Sequence, residues 1–76
     1  MRYYFHAEDG RCFHDEEGTE LADDDAARIE ATRVLGQLLN EDPMQIWRDA
    51  AFAIRVTDSE GAPLFTLQVV ASSGPR

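Results

Sequence analysis

A chain of 76 residues with a hydrophobic share of 43% suffices for one small globular domain and is too apolar for a disordered segment. Fifteen acidic side chains against seven basic ones, every one an arginine, give a net charge of −8. Arg2, Arg11, Arg28, Arg33, Arg48 and Arg55 are scattered among acids, which argues against direct DNA or RNA binding and against attachment to an anionic membrane. Cys12 is the lone cysteine, so no disulfide can form within the chain, and an unpaired thiol fits a reducing compartment. No apolar run approaches the roughly 18 to 20 residues that span a bilayer, and the segment MRYYFHAED lacks the apolar stretch of a signal peptide. The expected location is the cytoplasm.

Residues 2–8, rich in aromatic side chains, predict a strand that ends at Asp9-Gly10, a strong hairpin turn signal. Residues 11–15 read as the returning strand, closed by the acidic turn Glu16-Glu17-Gly18. Asp23 is placed to N-cap a helix, with Asp24 and Asp25 in its first turn, where negative charge suits the helix dipole. The helix is expected from about Asp24 to Asn40: Ala27, Ala31, Val34 and Leu38 recur at helical spacing, Leu35 flanks them, and Ile29, Gly36 and Leu39 fall off the stripe. Pro43 ends it.

Residues 44–50 read as a connector containing Trp47, taken as a lid over the edge of the core. From Ala51 to Thr57 the side chains alternate, Phe52, Ile54 and Val56 facing one way, Ala53, Arg55 and Thr57 the other. Asp58-Ser59-Glu60-Gly61 makes a turn, Pro63 to Ala71 forms the last strand, and residues 72–76 read as a frayed tail behind a single domain of residues 1–71. The fold class is therefore α+β, in the order β-β-α-β-β: a four-stranded antiparallel sheet with one helix packed on one face. The expected spatial order, counting the four strands along the chain, is 2-1-3-4.

Arg2-Tyr3-Tyr4-Phe5-His6, Asp9-Gly10, Asp15-Glu16-Glu17-Gly18-Thr19-Glu20-Leu21 and Ala26-Ala27-Arg28 carry a likeness. The chain resembles the short alphaproteobacterial proteins of domain of unknown function family 6894. In these an RYFFH-like strand leads through a DG turn to DEEG-x-EL, an Ala-rich helix and a closing V-x-D-x-x-G-x-x-L hairpin, matched here by Val56, Asp58, Gly61 and Leu64. The likeness covers roughly residues 2 to 70. Asp24 departs from the family, which usually carries an apolar residue there, and this bears on the packing of the first helical turn. The resemblance implies a unit of bacterial origin and no activity, so site residues must come from chemistry alone.

His6, Cys12 and His14 are the side chains with ligand or nucleophile chemistry, and hairpin register decides whether they meet. A two-residue Asp9-Gly10 turn pairs His6 with Phe13 and sends His14 to the other face. A three-residue loop pairs Glu8 with Cys12 and sets His6 opposite His14. Burial favours the second, which gathers Tyr3, Phe5, Ala7 and Phe13 on the core face. Two histidines, a thiol and a carboxylate on one face could hold zinc or copper, but solvated outer-face residues explain the same pattern and no ligand spacing supports a metal. A Cys12–His14 nucleophile pair lacks a cleft, an orienting group and an oxyanion hole, and Asp15, Glu16 and Glu17 lie in a wet turn unsuited to acid–base catalysis. No enzyme is expected, and no cofactor.

Seven acids crowd residues 15–25 without the alternation of an EF-hand loop, so a solvated turn and a helix cap account for them. Ile29, Leu39, Trp47 and a last strand apolar on both faces point instead to a covered surface. Three functions stand in order: a non-catalytic interaction module, a homodimer or one joined to an unidentified protein; an acidic regulatory protein, antitoxin-like or a nucleic-acid mimic, that captures a basic partner; and a metal-binding protein using His6, His14 and Cys12.

Overall fold

The computed structural model describes residues 1–8 and 12–75, residues 12 and 13 by their backbone alone. The expected Asp9-Gly10 turn, Arg11, the side chains of Cys12 and Phe13, and Arg76 lie outside the described residues. Among the described residues, five strands and two helices follow one another: β1 (Arg2–Glu8), β2 (Cys12–Phe13), β3 (Thr19–Glu20), α1 (Asp24–Glu41), α2 (Gln45–Asp49), β4 (Ala51–Thr57) and β5 (Pro63–Val70). The main sheet is antiparallel with order β2-β1-β4-β5, which is the expected arrangement of the four principal strands. α1 lies across one face.

Alternation builds the core. Phe52, Ile54 and Val56 of β4 point beneath α1, opposite Ala7 and Phe5 on one side and Val69, Leu67 and Phe65 on the other. Among the described residues, Tyr3, Ile54 and Val56 are the largest side chains to be fully buried. Ala27, Ala31 and Leu35 of α1 close over them, and the small alanines let helix and sheet approach. Leu35 is thus central to the stripe rather than flanking it, Val34 and Leu38 are half-buried, and Leu39, expected off the stripe, packs against the core.

The helix starts where expected. Asp23 accepts a hydrogen bond from the Ala26 N–H at 2.8 Å, and Asp24 and Asp25 occupy the first turn. Asp24, the departure from the family pattern, has its own partner, since its carboxylate accepts the Tyr3 hydroxyl at 2.7 Å. That bond, then burial, pushes the Tyr3 phenol up to about 12.

Four expectations are corrected. The connector contains α2, and its buried residue is Ile46; Trp47 is 56% exposed and lids nothing. The returning strand stops at Phe13 instead of reaching Asp15, which is held away from the ladder by its own hydrogen bonds. The chain past the acidic turn forms β3, which pairs Glu20 with Arg2 and Thr19 with Tyr3. The N-terminal amine fixes that end by donating to Glu20 Oε1 at 2.6 Å and to the Leu21 carbonyl at 3.1 Å. Finally, β5 is not apolar on both faces. A register shift at Val56/Thr57 turns Leu64 toward the core, which leaves Val70 as the exposed apolar side chain on the outer face it shares with Thr66 and Gln68.

Candidate functional site

Glu8 pairs with Cys12 and Ala7 with Phe13, which is the register that places His6 opposite His14. The two imidazole rings meet edge to face with centroids 5.1 Å apart. On the far side of His6 stands β4, whose Arg55 and Thr57 share the outer sheet face. These side chains, with Tyr4 and the turn beginning at Asp58, line an open recess of about 250 Å³.

His6 was expected on a solvated face, yet it is 8% exposed. Its neighbours supply the cover and take both ring nitrogens. The backbone N–H of Asp15 donates to Nδ1 at 3.2 Å, so Nδ1 carries no proton. Nε2 therefore holds the hydrogen and donates to Thr57 Oγ1 at 3.0 Å. Burial, then the charge of Arg55 and the closeness of His14, pull the His6 pKa below its ordinary value. The opposing pull of Asp15 and Glu8 is smaller. Arg55 is itself engaged, its Nε donating to Glu8 Oε1 at 2.8 Å.

Asp15 is the hub that sequence reasoning missed. One carboxylate oxygen accepts the N–H groups of Glu17 (3.1 Å) and Gly18 (3.0 Å), and the other reaches across to the Phe5 N–H at 3.2 Å. Burial alone would raise its pKa, but the three N–H donors outweigh it and hold the carboxyl below its usual range. The D-x-x-G spacing of Asp15 and Gly18 was the available signal, because Asp folds its own backbone into a turn and Gly supplies a positive φ, here +72°.

Chemically, this cluster is a satisfied polar network. A metal at His6 would have to displace either Asp15 or Thr57, and among the described residues no group of three or more His, Cys, Asp or Glu side chains could hold an ion. The proposed third ligand and nucleophile, the Cys12 side chain, lies outside the described residues. Of the other acids, Glu16 and Glu17 are exposed and Asp23 caps the helix.

The second distinctive surface is the free edge of β5. The Ala71 N–H bonds the Ala50 carbonyl at 2.8 Å, which fixes the phase of the ladder and turns the backbone groups of Thr66, Gln68 and Val70 outward, away from β4. α1 does not fully cover this margin. Phe65, Leu67 and Val69 are half-buried, the Arg28 guanidinium lies 5.4 Å from the centre of the Phe65 ring, and a groove of about 310 Å³ runs between helix and strand. Ile29 stands 54% exposed on α1, as its position off the stripe predicts.

Among the described residues no helix is long and apolar enough to cross a membrane. A family model described as Domain of unknown function (DUF6894) matches residues 2–71, and the chain belongs to that family. No curated protein matches the chain, and neither does any solved structure.

Proposed function

We propose that this member of the family is a non-catalytic interaction module that self-associates by pairing the free edge of β5 with the same edge of a second copy. The observation that carries the reading is an eight-residue edge strand with no charged side chain. Natural edge strands are commonly guarded by charge, an inward-pointing ion or a covering element. Here Pro63 guards one end, and residues 61–75 contain no Asp, Glu, Lys or Arg in a chain of net charge −8. A second copy is favoured over a basic partner because a basic strand would find no acid to meet along this edge. An antiparallel copy finds matching backbone groups and the neutral side chains Thr66, Gln68 and Val70. The half-covered Phe65, Leu67 and Val69 would gain cover from the added strand.

Sedimentation equilibrium from micromolar to millimolar protein tests this. The unmodified chain is expected to shift from monomer to dimer mass. Gln68→Pro removes an outward N–H while leaving the β4 ladder intact, and so is expected to stay monomeric with an unchanged circular dichroism spectrum. Gln68→Lys, which places like charges across the two-fold axis, should weaken the dimer at least tenfold. A monomer mass for the unmodified chain throughout the range would overturn the proposal.

A further inference from the structure

We propose that His6 is an acid-sensitive latch that holds the His14–Gly18 loop against β1 and releases it when the ring takes up a proton. The geometry dictates the direction. Asp15 is tied to the sheet by two reciprocal bonds, Asp15 N–H to His6 Nδ1 and Phe5 N–H to Asp15 Oδ2, while the Arg2 guanidinium of β1 donates separately to the Glu17 carbonyl at 2.7 Å. An imidazolium is a donor at both nitrogens, so a proton on Nδ1 turns the first bond into a clash of two N–H groups. The ring cannot turn away to water, because it is buried and its Nε2 is tied to Thr57. Release of Asp15 frees the Phe5 N–H and uncovers the edge of β1 between its pairings with β2 and β3.

The surroundings disfavour a charged ring. From β4 comes the Arg55 guanidinium, from the chain after β2 His14 and Asp15, from β1 itself Tyr4 and Glu8, and from the turn after β4 Asp58. Glu8 is occupied by Arg55, Asp58 by the N–H groups of Glu60 and Ala62, and Asp15 by its three donors. Among the described residues, each carboxylate that could welcome an imidazolium is committed elsewhere, so the native arrangement favours the neutral ring. Its folded pKa is depressed below 6.5, so the open form binds the extra proton first. The stabilisation is whole above pH 6.5 and is lost as the pH falls below it. Asp15 keeps its charge through this window, since its own pKa lies under 3.8. If the latched ring binds no proton, the opening constant rises up to roughly 25-fold from pH 7 to pH 5.

The test is amide hydrogen exchange at Phe5, Glu17 and Gly18, corrected for intrinsic rates, with nitrogen-15 spectra of the histidine rings across the same pH range. The expected result is an Nε2–H tautomer for His6 at pH 7 and a loss of protection at these three amides, and not at Ile54 or Val56, as His6 titrates. His6→Asn keeps an acceptor where Nδ1 stands and does not titrate, so its loop amides should exchange equally at pH 5 and pH 7. His14→Asn should retain the pH response. The proposal fails if the unmodified protein protects the three amides equally at both pH values, if His6 carries its proton on Nδ1 at pH 7, or if the response follows His14. Should His6→Asn fail to fold, the tautomer and the exchange profile of the unmodified chain still decide the matter.

Discussion

A methyl group at Gly18 would stand 2.9 Å from Arg2 Cγ and from Tyr4 Cε2 and 3.0 Å from the Tyr3 carbonyl oxygen, on a backbone with φ of +72°. Gly61 has a similar backbone, φ +83°, but open space around the missing side chain. The pair separates two costs that usually arrive together. Gly61→Ala should lose about 1 to 2 kcal/mol for the left-handed conformation alone. Gly18→Ala carries that cost and another of about 1 to 3 kcal/mol, because the Tyr3 carbonyl belongs to a paired strand and cannot give way. Urea unfolding at pH 7 checks this, with a clearly lower midpoint expected for Gly18→Ala. Equal midpoints would mean that the loop can retreat from β1 at little cost. The same contact explains why an acidic D-E-E-G run is structural at its two ends: Asp15 gathers donors and Gly18 lets the chain pass beside β1, while Glu16 and Glu17 face water.

At the scale of elements, α2 gives the sharpest contrast between neighbours. Ile46 is 9% exposed and belongs to the core cluster, whereas Trp47 is 56% exposed. Ile46→Ala should therefore cost about 2 to 4 kcal/mol, and Trp47→Ala no more than about 0.5 kcal/mol. Thermal unfolding resolves the difference easily, since each kcal/mol moves the midpoint of a domain this size by roughly 4 to 8 °C. A large loss on removing Trp47 would restore it as a lid. The misreading has a physical cause, because five residues make less than two helical turns and show no period. β4 and α1 were legible for the opposite reason: seven and eighteen residues repeat their pattern often enough to reveal which face is buried. The position of His6 opposite His14 followed from keeping Phe13 on the core side of the hairpin. The burial of His6 did not, because its cover comes from Thr57 and Arg55, some fifty residues away, and from a backbone N–H with no sequence signature. β3 was hidden likewise, its two residues being held by the chain's own amino terminus.

For the molecule as a whole, charge and edge oppose one another. Each copy carries −8, so two copies repel at long range, while the strand proposed to join them is neutral. The Debye length shrinks from roughly 10 Å at 0.1 M salt to 3 Å at 1 M, which removes the repulsion and leaves backbone pairing and apolar contact untouched. Self-association through β5 should therefore tighten as sodium chloride rises from 0.05 to 0.5 M, by about threefold to tenfold in the dimer dissociation constant. A protein whose acids exist to capture a basic partner behaves in the reverse sense, because there salt screens an attraction. Sedimentation equilibrium at the two salt concentrations distinguishes them, with the Gln68→Pro variant as the monomer reference. A dimer that loosens with salt would place the contact on charged groups and remove β5 from it. A dimer that tightens with salt and vanishes in Gln68→Pro requires the neutral edge, since among the strands whose side chains are described it is the one free of charge along its whole length.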